Sequence, residues 1–261
     1  MAYRNPGYCW YHAGADNGVA ELTIDPTVDS NYPAENLIDY RASSLFKWSD
    51  TDTAHYVDFD RQFSGNSPNV NALIIPAGHD LDGATVATLY GNGYPPSNGW
   101  DSWTISGDGI IFRQMPSTRP DRYLRFIIAS SGDWTIPEIW FTYINTPSNS
   151  GIDPSWEAVP VPILSKVPFP TRNANLTLAP NRMQYTVTYN ALTGTDITLF
   201  DDLFEETGGG SRPFYFLPPD DSLDPILMEI QSISRREQAY QNPATTGIAY
   251  TISFTMLEQT S

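Results

Sequence analysis

Between Ser30 and Gly93 the chain reads YPAENLID at 32–39, HYVDFD at 55–60 and NALIIPAGHDL at 71–81. The first segment is rich in turn residues, and the second has the length and composition of a short strand. The third opens with a nearly continuous apolar run, which suits a strand covered on both faces of a sheet. Short runs of β-branched and aromatic residues alternate here with Pro, Gly, Asn and Asp. The stretch therefore predicts a β-sandwich.

A later segment, RYLRFIIASSGDWTIPEIWF at 122–141, completes an ordered series of motifs. The series resembles the discoidin-like, galactose-binding β-sandwich, in the version found near the start of bacteriophage tail proteins. It covers residues 21–145, about half of the chain. The resemblance implies a jelly-roll sandwich over residues 21–147. It does not by itself specify a ligand, because one fold carries many functions.

Composition limits the classes of partner. The chain has 261 residues, 40% of them hydrophobic, which is enough for two folded domains. Its formal net charge of -16 repels phosphate backbones and anionic lipid, so neither nucleic acid nor membrane insertion is expected. An acidic surface can collect cations, a structural calcium among them, although the sequence indicates no position for one. With the single cysteine Cys9 and no apolar signal segment, folding in a cytosol is expected.

The composition changes along the chain in a way that predicts domain boundaries. Residues 1–20 hold four aromatic residues without a regular period and are predicted to form an arm. Such an arm packs either on its own domain or on a neighbouring subunit. A linker composition surrounds Ser148, and five prolines follow between 154 and 170. Residues 148–175 are therefore predicted to be a proline-rich linker that lies across a surface.

A second domain, residues 176–261, is predicted from periodicity. Apolar side chains alternate with polar ones from Met183 to Tyr189 and from Ile248 to Met256, which indicates two strands with one buried face each. Between them lies one amphipathic helix, with Thr195 as its predicted cap and the run Gly208–Gly210 as its end. One helix on an antiparallel sheet is an α+β arrangement, so the whole chain is predicted to be mainly β.

The second domain also carries a resemblance, through PFYFLPPDD at 213–221 and ISFTMLEQ at 252–259. Together they resemble the C-terminal part of phage minor tail and distal tail proteins, whose tail-tube fold builds rings by joining sheets between subunits. The resemblance implies a structural component of a tail tip or baseplate. Its partners would be its own copies in a ring and other phage tail proteins, with the sandwich displayed outward. Its location would be the virion tail, assembled in the host cytoplasm. The ring stoichiometry is not specified.

Catalytic and cofactor motifs are missing from the sequence. The three histidines, His12, His55 and His79, lack metal-site spacing; His55 and His79 are predicted to be structural, because lone histidines usually satisfy local hydrogen bonds. Cys9 has no CxxC partner, and Gly208–Gly210 lacks the Lys-Ser/Thr of a phosphate loop. Neighbouring carboxylates are common in so acidic a chain and do not define a glycosidase pair. We therefore expect neither an enzyme nor a bound cofactor.

Aromatic side chains in loops are the candidate carbohydrate-binding residues, because a sugar's apolar C–H face stacks on an aromatic ring. They are Trp100, Trp103, Tyr94 and Trp134. Trp100 and Trp103 lie among Gly and Ser residues and are expected to be exposed, whereas Trp48 is expected in the core. The sandwich would then touch a host surface glycan. The alternative to a tail protein is a lectin-like carbohydrate-binding protein or an accessory module of a glycan hydrolase.

Overall fold

The computed structural model describes most of the chain. The described residues are 6–12, 21–25, 28–41, 43–48, 54–61, 68–147, 155–168, 173–220, 223–242 and 245–259. Within them the chain is mainly β, with antiparallel sheets and one α-helix, as the sequence predicts. No helix in these ranges is both long and apolar enough to span a membrane.

The chain divides into two compact units. Cys9–Ile144 forms the first, which we call the sandwich unit, and Met1–Tyr8 together with Asn145–Thr260 forms the second, which we call the helix-bearing unit. The boundaries predicted from the sequence, at residues 20, 147 and 175, stay predictions.

The sandwich unit is built from short strands in three antiparallel sheets. Its strands are β2 (Glu21–Asp25), β3 (Phe46–Lys47), β4 (His55–Asp60), β5 (Val70–Ile75), β6 (Thr85–Gly91), β7 (Asn98–Thr104), β8 (Ile111–Arg119), β9 (Tyr123–Ile128), β10 (Thr135–Ile136) and β11 (Trp140–Thr142). The largest sheet has the order β2-β4-β9-β6-β7, a second has the order β11-β5-β8, and β10 pairs with β3.

Apolar side chains from these sheets form the core of the sandwich unit. Residues 72–75 of β5 are all fully buried, which confirms the prediction of a strand covered on both faces. Trp48 is also fully buried, as predicted, and it packs edge-on against Phe46 and His55. The side chains of β4 alternate between the two faces of the sheet: Val57 and Phe59 enter the core, and Asp58 and Asp60 face the other side. That other side carries the candidate site.

The helix-bearing unit consists of one six-stranded antiparallel sheet and one helix. Its elements are β1 (Gly7–Cys9), β12 (Ser155–Pro168), β13 (Asn173–Leu192), α1 (Gly194–Glu206), β14 (Phe214–Leu217), β15 (Ile226–Asn242) and β16 (Thr245–Glu258). The sheet order is β1-β14-β15-β16-β13-β12. The two strands predicted from alternation are confirmed, since Tyr185, Val187 and Tyr189 are buried and pair with the Ile252–Met256 part of β16.

Helix α1 begins two residues earlier than the sequence suggested. Its N-cap is Thr193, not Thr195: the Thr193 hydroxyl accepts a hydrogen bond from the Asp196 backbone N–H, and Asp196 accepts one from the Thr193 N–H. This reciprocal capping box satisfies two backbone N–H groups at the start of the helix. Thr195 lies inside the helix and is not its cap. The helix ends as predicted before Gly208–Gly210. A side chain on Gly210 would approach the Ile230 carbonyl oxygen to 2.5 Å, so glycine is required there.

Two segments that were predicted to lie outside regular elements contain strands. Within the predicted linker 148–175, Ser155–Pro168 forms β12, which pairs with β13 along its length. Proline is tolerated in β12 because β12 is an edge strand, where a missing N–H on the open side removes no hydrogen bond between strands. Within the predicted arm, Gly7–Cys9 forms β1 in the six-stranded sheet. Other parts of both segments, 1–5, 13–20, 148–154 and 169–172, lie outside the described residues.

Tyr8 anchors the N-terminal strand in the helix-bearing unit. It is fully buried, and its hydroxyl lies 2.8 Å from the hydroxyl of Tyr189. Its ring contacts Phe200, Phe214, Phe216 and Phe254 at centroid distances between 5.6 and 6.3 Å. Burial raises the pKa of Tyr8 well above its ordinary value, and the Tyr189 hydroxyl adds to the effect. Tyr8 therefore packs against residues of the helix-bearing unit of its own chain.

Candidate functional site

The candidate site lies on the face of the five-stranded sheet that points away from the sandwich core. Strand β4 places Asp58 and Asp60 on this face, two residues apart. The antiparallel register sets Asp58 opposite Arg125 of β9 on one side and opposite Thr23 of β2 on the other. Tyr123 of β9 lies opposite Asp60. Five polar or aromatic side chains from three adjacent strands thus share one face.

Each aspartate is held by an arginine through two hydrogen bonds. The Nε and Nη2 atoms of Arg125 donate to the two carboxylate oxygens of Asp58. Arg122 donates in the same way to Asp60, at 2.6 and 2.7 Å. The hydrogen bonds to Asp58 raise the pKa of Arg125 above its ordinary value. Two-point pairing of this kind fixes the orientation of both carboxylates.

Aromatic rings support the two guanidinium groups. The Arg125 guanidinium lies 4.0 Å from the ring centroid of Tyr56, and the Arg122 guanidinium lies 4.9 Å from that of Tyr123. Cation–π contacts of this geometry are attractive and hold the planar group in place. The two pairs Arg125–Asp58 and Arg122–Asp60, which we call the charged layer, are therefore preorganised.

Tyr94 covers one side of this layer. It lies in the loop between β6 and β7, is 52% exposed, and its ring centroid is 5.5 Å from that of Tyr123. Partial desolvation of the phenol and its hydrogen bond to Asp58 raise the pKa of Tyr94 above its ordinary value.

The side chains enclose a cleft of about 250 Å³, which we call the sheet cleft. It is lined by Thr23, Asp58, Asp60, Tyr94 and Tyr123. Such a surface offers hydrogen-bond acceptors, three hydroxyl groups and an exposed aromatic ring. It is poorly suited to acid–base catalysis, because both carboxylates already accept a pair of hydrogen bonds from an arginine.

Of the four aromatic residues predicted from the sequence, Tyr94 alone lines the sheet cleft. Trp100 was expected in an exposed loop, which is wrong: it lies on β7, is 7% exposed and stacks at 7° on the ring of Phe141. Trp103 also lies on β7 and packs partly against the core, with the Arg113 guanidinium 5.0 Å from its ring centroid.

Trp134, the fourth candidate, is likewise partly buried against the core of the sandwich unit. Its Nε1 donates a hydrogen bond to the Ser130 carbonyl oxygen at 3.1 Å, so its polar edge is used within its own turn. Neither Trp103 nor Trp134 contributes to the cleft lining.

The sequence analysis did not single out Asp58, Asp60 or Tyr123. The available signal was the alternation in HYVDFD, which places both aspartates on the face opposite Val57 and Phe59. In an acidic chain this alternation is also typical of an ordinary solvated face. The arginines that pair with the two aspartates, and so distinguish this face from an ordinary one, lie 62 and 67 residues later in the sequence.

The histidines lie away from the cleft. His79 receives a hydrogen bond from the Leu81 N–H at Nδ1 and contacts the Gly109 carbonyl oxygen through Nε2 at 2.8 Å. Burial lowers the pKa of His79 below its ordinary value. Its two ring nitrogens are thus engaged locally, as the sequence analysis predicted. Across the described part of the chain, no group of three or more His, Cys, Asp or Glu residues is arranged to hold a metal ion.

Comparison with known proteins gives only distant similarities. No protein-family model and no curated protein matches the chain. Among solved structures, a chitosan-binding module from a chitosanase/glucanase of Paenibacillus sp. IK-5 is 14% identical, with 51% of this chain and 98% of that module covered and a TM-score of 0.42. A Streptococcus pneumoniae fucose binding module is 16% identical, with 51% and 94% covered and a TM-score of 0.40. These values are too low to assign a family or a ligand to this chain.

Proposed function

We propose that the sandwich unit binds a carbohydrate in the sheet cleft. The observation that carries the proposal is the exposed ring of Tyr94 beside the fixed carboxylate of Asp60 in a cleft of about 250 Å³. Sites for drug-sized ligands usually measure roughly 300–1,000 Å³, so this cleft suits a smaller ligand, of about one sugar ring. Such a ring has an apolar face for stacking and hydroxyl groups for hydrogen bonding.

The two parts of the cleft would act on different parts of the sugar. The Tyr94 ring packs against the Tyr123 ring at a centroid distance of 5.5 Å, so less side-chain freedom would be lost when a sugar stacks on it. Asp60 and the Thr23 hydroxyl lie next to that ring in the lining and would bind the sugar hydroxyls. The charged layer supports this arrangement, because Arg122 keeps Asp60 in one orientation.

The test is glycan binding by the wild type and by Tyr94→Ala, first on a glycan array and then by titration with the strongest array ligand. Loss of the ring should weaken binding about tenfold, which corresponds to about 1.4 kcal/mol. The matched control is Tyr32→Ala, since Tyr32 is also exposed, at 37%, and does not line the cleft. Equal binding by Tyr94→Ala and wild type, or no glycan binding by the wild type, would contradict the proposal.

A second function is favoured by the backbone of the helix-bearing unit. The β12–β13 hairpin extends from the pair Ile163↔Ala179 to Pro168↔Asn173 without a third strand among the described residues. The β15–β16 hairpin does the same from Gln238↔Ala249 onward. A two-stranded ribbon is at best marginally stable in water. These ribbons therefore favour a protein that adds strands from other copies of itself.

Such pairing would suit a ring-forming structural component of a phage tail tip or baseplate, with other tail proteins as neighbours. The test is the mass of the purified protein at tens of micromolar, measured by light scattering. We expect a closed oligomer for the wild type and a monomer for a variant in which a tight turn replaces residues 164–177. A monomeric wild type would rule out self-assembly through the ribbons. The carbohydrate proposal is independent of this result.

A further inference from the structure

We infer that the sheet cleft selects uncharged saccharides and discriminates against saccharides that carry a carboxylate or sulfate, with Asp60 as the residue that sets this preference. The inference rests on the proposed function, because it concerns which sugars the same cleft accepts. It follows from which charged atoms face the cleft and which are turned away from it.

The two aspartates differ in their access to a ligand. The Asp58 side chain is 2% exposed, since Arg125 and Tyr94 cover it. The Asp60 side chain is 16% exposed and lines the cleft. Both carboxylates line the cleft, but a bound sugar would meet mainly the more exposed Asp60.

The guanidinium groups that balance these carboxylates are directed at them. Neither Arg122 nor Arg125 belongs to the lining. Arg122 is 41% exposed, but its Nε and Nη2 donors are directed at Asp60 and its guanidinium lies over the Tyr123 ring; the Arg125 side chain is 13% exposed. Among the described residues, the lining thus contains carboxylate and hydroxyl groups but no cationic side chain.

This lining favours hydroxyl donors over anionic groups. A sugar hydroxyl can donate to Asp60 without bringing charge into a partly desolvated cleft. A sugar carboxylate in the same place would face a like charge at contact distance with no guanidinium donor aimed at it. Specificity by such repulsion requires no additional attractive contact to the preferred ligand.

The experiment compares neutral glycosides with their uronate counterparts, for example galactose with galacturonate oligosaccharides, on the array and in titrations. We expect neutral ligands to bind at least tenfold tighter, with little change in affinity between 0.05 and 0.5 M salt. Asp60→Asn removes the charge and adds an N–H donor, so it should lower the neutral-to-uronate affinity ratio at least tenfold. The matched control is Asp133→Asn, which removes a half-exposed aspartate that pairs with Lys47 outside the cleft and should leave the ratio unchanged.

Each outcome separates the two proposals. Tighter binding of uronates by the wild type, or a ratio that Asp60→Asn leaves unchanged, would overturn this inference while carbohydrate binding stands. Binding of no saccharide of either class would overturn the proposed function itself. If Asp60→Asn does not fold, the same salt series with the uronates on the wild type decides the charge question, because screening of a repulsion should tighten their binding at high salt.

Discussion

Tyr8 should be a major source of stability for the helix-bearing unit, although it lies far from that unit in the sequence. The ring contacts that the structure gives for it are all with residues of this unit, and its hydroxyl pairs with Tyr189. Tyr8→Phe removes only the hydroxyl, and the loss of one buried hydrogen bond costs about 1 kcal/mol. Tyr8→Ala also removes a fully buried ring, which raises the expected loss to about 3–5 kcal/mol.

Hydrogen exchange followed by mass spectrometry can assign this loss to one unit. Because about 1.4 kcal/mol corresponds to a tenfold change, amides of β14 should exchange about fivefold faster in Tyr8→Phe. In Tyr8→Ala they should exchange on the order of a hundredfold to a few thousandfold faster, up to the limit of global unfolding. Amides of β9 in the sandwich unit are the internal control and should be unchanged.

The reasoning fails if Tyr8→Ala leaves the protection of β14 at its wild-type level, because the buried ring would then contribute nothing to the sheet. It also fails if Tyr8→Phe costs as much as Tyr8→Ala. The double variant Tyr8→Phe, Tyr189→Phe separates the hydroxyl pair from the packing, and its effect should be smaller than the sum of the two single effects.

Three further changes test other parts of the structure. Burial lowers the pKa of His79, so folding favours the neutral form of its ring. The stability that the neutral ring contributes is complete above about pH 6.5 and is lost as the pH falls through the folded-state pKa. Urea unfolding between pH 7.5 and 5 should therefore show a slope that His79→Gln reduces. Arg125→Met leaves the nearly buried Asp58 carboxylate without its guanidinium and should cost about 3–5 kcal/mol in urea unfolding, much of which an added Asp58→Asn should restore. Thr193→Ala should destabilise helix α1 by about 1 kcal/mol, whereas Thr195→Ala should change its stability far less, as followed by hydrogen exchange in the helix.

Local patterns in the sequence were sufficient for individual elements. The alternation around Val187 and Phe254 predicted two strands because one face of each is buried, and burial repeats every second residue in a strand. The apolar side of α1 was equally clear, since Ile197, Phe200 and Leu203 are spaced for one face of a helix and are buried. In each case the cause of the structure lies within about ten residues.

Features that depend on distant residues could not be predicted in the same way. Trp100 is next to Gly99 and close to Ser102, which suggested a loop, but Phe141 and Tyr90 cover its ring from other strands. The same limitation applies to the candidate site. Nothing near Asp60 in the sequence indicates the arginine that fixes it, so its role follows only from strand register.

The position of β1 has a consequence for the order of folding during synthesis. The strand Gly7–Cys9 is translated about two hundred residues before β14, its neighbour in the sheet. The sandwich unit can therefore complete its core on the ribosome while this strand still lacks its sheet. β1 can join the six-stranded sheet only after β14 has been made, so this strand is incorporated long after its own synthesis.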